Sequence, residues 1–198
     1  MRSLPVNRSK PIPQAESCCG SRRNFLALGA GMLALASLGA KGSGAVEPAE
    51  RILSFHNLHT GENFQAPYWV QGQYVPEALS AIDHLLRDHR TGDVMPIDRT
   101  LLDLVHALTR RLDTSAPVQV ISGYRSPETN RALHARSNGV ASHSLHMEGR
   151  AIDLCVEGRD LRRLRDAALS LQGGGVGFYP QSGFVHVDTG RLRSWTGA

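Results

Sequence analysis

The sequence predicts an α+β domain, with a central antiparallel β-sheet flanked by helices. Segments with the apolar period of a helix are mixed along the chain with short segments that alternate apolar and polar residues. This mixed order, without an internal repeat, favours antiparallel strands and separate helices over a regular strand–helix–strand fold. A length of 198 residues suits one such domain preceded by a tail, and we assign the tail to residues 1–45 and the domain to residues 46–198.

Each predicted element follows from its apolar spacing or from a residue that begins it. Pro76 opens a helical pattern, Asp98 is a suitable N-cap, and Ser126 followed by proline begins a third helix. In order along the chain, we predict strands within 51–64 and near 62–70, helices over 76–89 and 99–112, a strand at 117–123, a helix over 126–137, a loop at 138–148, a strand at 149–156, a helix over 160–171 and two strands around residues 180–182.

The sequence of residues 1–45 has the pattern of an export signal. Arg22 and Arg23 precede an uncharged apolar run, Phe25 to Ala40, which is shorter than the roughly 20 residues of a membrane span. Ser-Arg-Arg-Asn-Phe-Leu resembles the twin-arginine signal, although a buried or membrane helix is the alternative. The resemblance implies that the twin-arginine translocase exports the folded protein to the periplasm. After cleavage, for example at residues 43–45, no stable membrane insertion is expected.

The charge of the chain comes mainly from this tail. The formal net charge is +4, but residues 46–198 contain 16 basic and 17 acidic residues. A nearly neutral domain gives no electrostatic reason to expect nucleic acid or an anionic membrane as a partner.

The cysteines exclude an internal disulfide in the processed protein. Cys18 and Cys19 precede the apolar run, so they are expected to leave with the signal, and Cys155 alone remains. Because Cys155 lies in an apolar strand, we expect it to be a buried, small apolar residue.

Two predicted strands place potential metal ligands among apolar residues. Asp153 lies in a strongly apolar strand, where an unpaired carboxylate would be costly. In the last predicted strand His186 and Asp188 share one face, because residues two apart point the same way. His146 comes shortly before the first of these strands. The pattern therefore suggests a metal site between two strands.

The residues 144–153 form a motif that resembles a known enzyme group. Ser144-Leu-His146-Met-Glu-Gly149-Arg-Ala151-Ile-Asp153 matches the pattern Ser-x-His-x-x-Gly-x-Ala-x-Asp. It is similar to the zinc peptidases of the D-Ala-D-Ala carboxypeptidase and murein endopeptidase group, peptidase family M15. The segments SGYRSPETN at 122–130 and HVDTGRLRSW at 186–195 resemble the periplasmic MepK-like, or YcbK-like, murein endopeptidase branch.

This resemblance implies a hedgehog/D-Ala-D-Ala peptidase-like zinc fold and a set of site residues. His146, Asp153 and His186 would hold one Zn²⁺, with a fourth position left for water. The metal would lower the pKa of that water and polarise the scissile carbonyl. Arg125 would bind the carbonyl oxygen or a substrate carboxylate, and Ser144 would orient a ligand or the substrate.

One position departs from the pattern of the group. Many members carry a glutamate as general base three residues before the last zinc histidine, where this chain has Gly183. Asp188 is the first candidate to replace it, either as the base or as a carboxylate that orients a zinc-binding histidine. His143 and Glu148 are weaker candidates for the base.

Three functions remain open on the sequence. The first is a zinc endopeptidase that hydrolyses peptide cross-links between the stem peptides of peptidoglycan. The second is a catalytically weak zinc module that binds murein peptides or a partner, because the glutamate is absent. The third is a D,D-carboxypeptidase.

The other histidines and the large aromatic residues are expected to have structural roles. Packing in the core is the expectation for Trp69, Tyr124 and Trp195, with a place beside a substrate groove as the alternative. For the histidines, surface, interhelix or other structural positions are expected: His56, His59, His84, His89, His106 and His134.

Overall fold

The computed structural model describes residues 49–136 and 140–197 of the chain. Its strands are β1 (Glu50–Asn57), β2 (Asn63–Val70), β3 (Gln73–Tyr74), β4 (Val118–Ser122), β5 (Ala151–Val156), β6 (Gly175–Tyr179), β7 (Phe184–Asp188) and β8 (Arg193–Thr196). Its helices are α1 (Pro76–Leu85), α2 (Arg99–Arg111), α3 (Pro127–His134) and α4 (Leu161–Leu171). The predicted α+β class is confirmed.

The strands form one eight-stranded sheet in the order β3-β2-β1-β4-β5-β7-β6-β8. Most neighbouring strands are antiparallel, as predicted, but β1 pairs with β4 and β6 pairs with β8 in parallel. The sheet is therefore mixed. The first parallel pair is possible because α1 and α2 lie between β1 and β4 in the chain and provide the long crossover that such a pair needs.

Side-chain caps begin three of the helices. Asp98 accepts a hydrogen bond from the Thr100 amide, and Ser126 accepts one from the Thr129 amide, which confirms both predicted N-caps. Asp160 accepts from two amides in the first turn of α4. These bonds satisfy amide groups that a helix leaves unpaired at its start.

Helix α1 ends four residues before the predicted end at His89. The buried Asp88 carboxylate accepts hydrogen bonds from the amides of Arg90 and Ser126, so the chain turns there and connects to the start of α3. His89 consequently lies in this turn, where its ring stacks on His59 with 3.9 Å between ring centroids. The prediction of a helical position for His89 was wrong.

The two faces of the sheet around β5 and β7 differ in character. Ile152, Leu154, Val185 and Val187 belong to the apolar core, against which α4 packs. The residues that alternate with them point to the opposite face, where the polar residues of the two strands lie. Cys155 is buried, as predicted.

No helix within residues 49–136 or 140–197 has the length and apolar character to cross a membrane. The predicted export signal and the proposed cleavage sites at residues 1–45 lie outside the described residues.

Candidate metal centre

Two histidines and one carboxylate converge on the polar face of the sheet. Asp153 Oδ1 lies 2.8 Å from His186 Nδ1 and 3.3 Å from His146 Nε2. The two histidine nitrogens are 3.2 Å apart. Antiparallel pairing of β5 with β7 places Asp153 directly opposite His186, so the sheet register itself brings these two ligands together.

A tight turn supplies the third ligand. His146 lies in a 3₁₀ turn, Leu145–Glu148, which ends at Gly149 with a positive φ of 65°. A side chain at Gly149 would place its Cβ 2.6 Å from the Pro96 carbonyl oxygen. Glycine is therefore required both for the left-handed backbone and for the close approach to Pro96.

The outer nitrogen of each histidine is held by a hydrogen bond. His146 Nδ1 lies 2.7 Å from the Gly123 carbonyl oxygen, which can only accept. His186 Nε2 lies 2.9 Å from Asp188 Oδ2. When these nitrogens carry the protons, the lone pairs of His146 Nε2 and His186 Nδ1 point towards Asp153. Such outer bonds fix the ring orientation that a metal ligand needs.

The electrostatics of the cluster favour a cation beside Asp153. Burial opposes ionisation of the Asp153 carboxyl, but the charges and hydrogen bonds of the two histidines outweigh burial and hold its pKa well below its usual range. Burial likewise opposes protonation of His186, yet its bonds to Asp153 and Asp188 raise its pKa to about 9. Burial lowers the pKa of His146.

The donor set fits zinc. The three ligand atoms all lie within 4.8 Å of one another, and every one belongs to a buried residue. Two imidazole nitrogens with one carboxylate oxygen form a common ligand set of catalytic zinc sites, in which a fourth position stays open.

Arg125 lies against the outer side of Asp153. Its Nη2 is 3.7 Å from Asp153 Oδ2, and its Nη1 donates to Asn130 Oδ1 at 3.3 Å. The Arg125 side chain is 11% exposed, and its Nε is buried without a hydrogen-bond partner among the described residues. Burial lowers the pKa of this guanidinium, while the Asp153 charge opposes that effect. A cation thus lies next to the candidate metal centre.

Ser144 supports the turn that carries His146. Its hydroxyl accepts a weak hydrogen bond from the His146 amide at 3.4 Å, as an N-cap of the 3₁₀ turn. Of the two weaker base candidates, His143 lines the cavity beside the metal centre. Glu148 is exposed and pairs with Arg150 at 3.1 Å.

A cavity of about 330 Å³ opens onto the cluster. Its walls contain the candidate ligands, Arg125 and three aromatic residues, Tyr179, Phe184 and Trp195, which form the aromatic wall. The lining residues are Arg125, Val140, Ala141, His143, Ser144, Leu145, His146, Asp153, Tyr179, Phe184, His186, Arg193 and Trp195.

Residues 45–195 match the family model described as peptidoglycan L,D-endopeptidase MepK. The chain belongs to this peptidase family. The peptidoglycan L,D-endopeptidase MepK of Escherichia coli K12 is 46% identical over 176 residues, which cover 88% of this chain and 97% of that protein. The probable peptidoglycan L,D-endopeptidase MepK of Haemophilus influenzae is 38% identical over 179 residues, covering 89% and 96% of the two chains. The resemblance to the MepK-like branch of family M15 is confirmed.

Three aromatic residues line the cavity of this MepK family member: Tyr179, Phe184 and Trp195. Trp195 is half-buried and lines the cavity, which matches the alternative of a place beside a substrate groove and not the expected packing in the core. Tyr179 lines the same cavity, and the sequence patterns above did not point to it. Tyr179 follows Gly175 and Gly177 at intervals of two, so an alternating pattern marks one face of this strand. That pattern was the available signal for Tyr179.

Asp188 lies behind His186, on the side of the ring away from Asp153. Its side chain is 0% exposed and is within hydrogen-bond distance of both terminal nitrogens of Arg193, at 3.0 and 2.6 Å. Its Oδ1 also accepts from the amides of Gly175 and Gly190. Burial opposes its ionisation, but the His186 and Arg193 bonds outweigh burial and lower the pKa of Asp188.

The Asp188→Asn variant is expected to bind zinc about 10–100-fold more weakly, since loss of a carboxylate that orients a metal-binding histidine has this effect. Zinc affinity would be measured by competition with a chelating dye. If Asp188 instead acts as a general base in the cavity, the variant would bind zinc normally and lose turnover alone.

Proposed function

We propose that this chain is a zinc-dependent murein endopeptidase that hydrolyses peptide cross-links of peptidoglycan. The observation that carries the proposal is the convergence of two histidines and a carboxylate, with a buried arginine beside them, in one cavity. The names of the relatives support peptidoglycan as the substrate. Family membership also supports the hedgehog/D-Ala-D-Ala peptidase-like arrangement of the fold.

In this proposal His146 Nε2, Asp153 and His186 Nδ1 hold one zinc ion. Zinc at such a site supplies a Lewis acid for the scissile carbonyl and a water that is nucleophilic near neutral pH. Gly123 and Asp188 keep the two imidazole rings in the orientation that leaves these nitrogens free to bind metal. The role of Asp188 is therefore to position His186, because its carboxylate is fully buried and already bonded on both oxygens.

Arg125 binds the substrate. Its guanidinium lies in the cavity wall and is largely removed from water, so its charge acts strongly on an oxygen that gains negative charge. Ser144 caps the turn that carries His146 and also lines the cavity, and from there it contacts the substrate.

The alternatives differ in what they would release. A D,D-carboxypeptidase would free terminal D-Ala, whereas the L,D-endopeptidase name of the relatives favours cleavage of an L,D bond within a cross-link. A binding module, favoured by Gly183 in place of the glutamate, would release nothing. Incubation of the zinc-loaded protein with purified sacculi, followed by chromatography of the muropeptides, separates the three, and cross-linked dimers converted to monomers are expected.

We also propose that residues 1–45 direct export to the periplasm through the twin-arginine translocase. Peptidoglycan lies outside the cytoplasmic membrane, so the proposed substrate requires an exported enzyme. Residues 46–198 would then form the single mature domain, which acts on stem peptides without stable membrane insertion.

Replacement of both Arg22 and Arg23 by lysine is expected to leave the precursor in the cytoplasm, because the arginine pair is the recognised feature of this signal. Cell fractionation with immunoblotting would measure precursor and processed protein. Normal processing of the double variant would show that the apolar run works through the general secretory route.

A further inference from the structure

Four neighbouring strands place one residue each in a row across the site. Asp153 on β5 is opposite His186 on β7, His186 is opposite Gly177 on β6, and Gly177 is opposite Trp195 on β8. A Cβ on Gly177 would lie 2.6 Å from the Trp195 ring. The absence of a side chain therefore lets the indole lie over β6, where its centroid is 5.3 Å from that of His186.

The next row places Tyr179 beside this indole. Tyr179 pairs with Phe184 across β6 and β7, and their rings stack at 4.5 Å between centroids with an interplanar angle of 19°. Trp195 Nε1 donates a hydrogen bond to the Tyr179 hydroxyl oxygen at 2.9 Å. The phenol is thus fixed by a stacked ring on one side and by an indole on the other.

The hydrogen bond from Trp195 leaves the O–H of Tyr179 available to donate to another group. An indole N–H can only donate, so the phenol oxygen is the acceptor in this bond. The phenol O–H can therefore donate to a different acceptor. Among the described residues this is the one hydrogen bond of the Tyr179 hydroxyl. Tyr179 lines the same cavity as Arg125 and the three candidate ligands, so a substrate in the cavity can supply that acceptor.

We propose that the Tyr179 hydroxyl donates a hydrogen bond to the scissile carbonyl oxygen, together with Arg125, and that Trp195 positions it. The inference rests on the proposed peptidase function. Water adds to the carbonyl carbon and gives up one proton, and the carbonyl oxygen takes up the negative charge. The C–N bond then breaks as the amine leaves with the proton that the water released. Tyr179 keeps its own proton throughout, so it acts as a donor and not as an acid.

The test compares Tyr179→Phe with wild type on a cross-linked muropeptide dimer. The variant loses the hydroxyl but retains a ring that can stack on Phe184. A reduction of kcat by about 10²-fold is expected, as for the loss of one donor to a developing oxyanion, with KM and zinc content unchanged. Tyr74→Phe is the matched control, because Tyr74 lies on β3, at the edge of the sheet farthest from β8, and its phenol contacts Asp103 on α2. This variant should leave kcat unchanged.

Two further measurements separate this role from a structural one. The affinity for a phosphinic acid isostere of the cleaved bond, measured by calorimetry, should fall in Tyr179→Phe while the affinity for the product peptide is kept. Trp195→Phe should reduce kcat about 10-fold in the wild-type background. In the Tyr179→Phe background the same change should cause no further loss of kcat, because Trp195 acts through the Tyr179 hydroxyl.

The activities of wild type and of the variants separate failure of the Tyr179 inference from failure of the proposed function. An active wild type with an equally active Tyr179→Phe variant would overturn the inference alone, as would a raised KM with unchanged kcat. Equal losses from Trp195→Phe in both backgrounds would overturn the positioning role. An inactive wild type would overturn the proposed function and, with it, this inference.

Discussion

Replacement of His186 by alanine is expected to yield a folded protein that binds no zinc and releases no muropeptides. His186 Nδ1 lies within 3.2 Å of the other two candidate ligand atoms, so its removal leaves a two-residue site. Two ligands bind zinc far more weakly than three, because each lost bond must be replaced by water. His146→Ala and Asp153→Ala are expected to give the same result.

Metal analysis by mass spectrometry would measure zinc per chain in the purified variants, and circular dichroism would establish that they fold. His84→Ala is the matched control, since His84 is an exposed histidine on α1 whose side chain lies 3.7 Å from Glu62. Full zinc occupancy in the His186 variant would remove it from the ligand set.

The Arg125→Ala variant is expected to retain zinc and to lose about 10²–10³ in kcat, the usual effect of removing one group that stabilises an oxyanion. The guanidinium lies 3.7 Å from Asp153 on the side of Oδ2, whereas the histidines contact Oδ1, so the candidate ligand atoms stay in place without it. Its low exposure makes its charge difficult for water to replace.

Arg125→Lys distinguishes charge from geometry. Lysine keeps a positive charge but lacks the planar fork of donors, so an intermediate rate is expected. Steady-state kinetics and zinc content would be measured on both variants in parallel. Hydrolysis at the wild-type rate by Arg125→Ala would contradict the role of this residue in stabilising the oxyanion.

Local sequence patterns predicted most elements of the fold. The N-caps at Asp98 and Ser126 depend on side chains that bond to amides two or three residues away, so the sequence contains all that is needed to recognise them. The end of α1 was not predictable in this way. It depends on a bond between Asp88 and the Ser126 amide, which lies 38 residues further along the chain.

The candidate ligands could be selected from the sequence because strand alternation and the 144–153 motif both point to them. Their role in metal binding stays a prediction, although the register of β5 and β7 places Asp153 and His186 opposite each other. The aromatic wall was missed because its geometry depends on the parallel pairing of β6 with β8. Neither the space above Gly177 nor the bond from Trp195 to Tyr179 is visible before that pairing is known.

Zinc titration of the metal-free protein tests the central claim most directly. Protein stripped with a chelator would be mixed with increasing zinc, and cleavage of a defined cross-linked muropeptide dimer would be followed by chromatography. The account predicts no cleavage without metal and a rate that rises to a plateau at about one zinc ion per chain. Full cleavage by the metal-free protein, or none at full zinc occupancy, would contradict it.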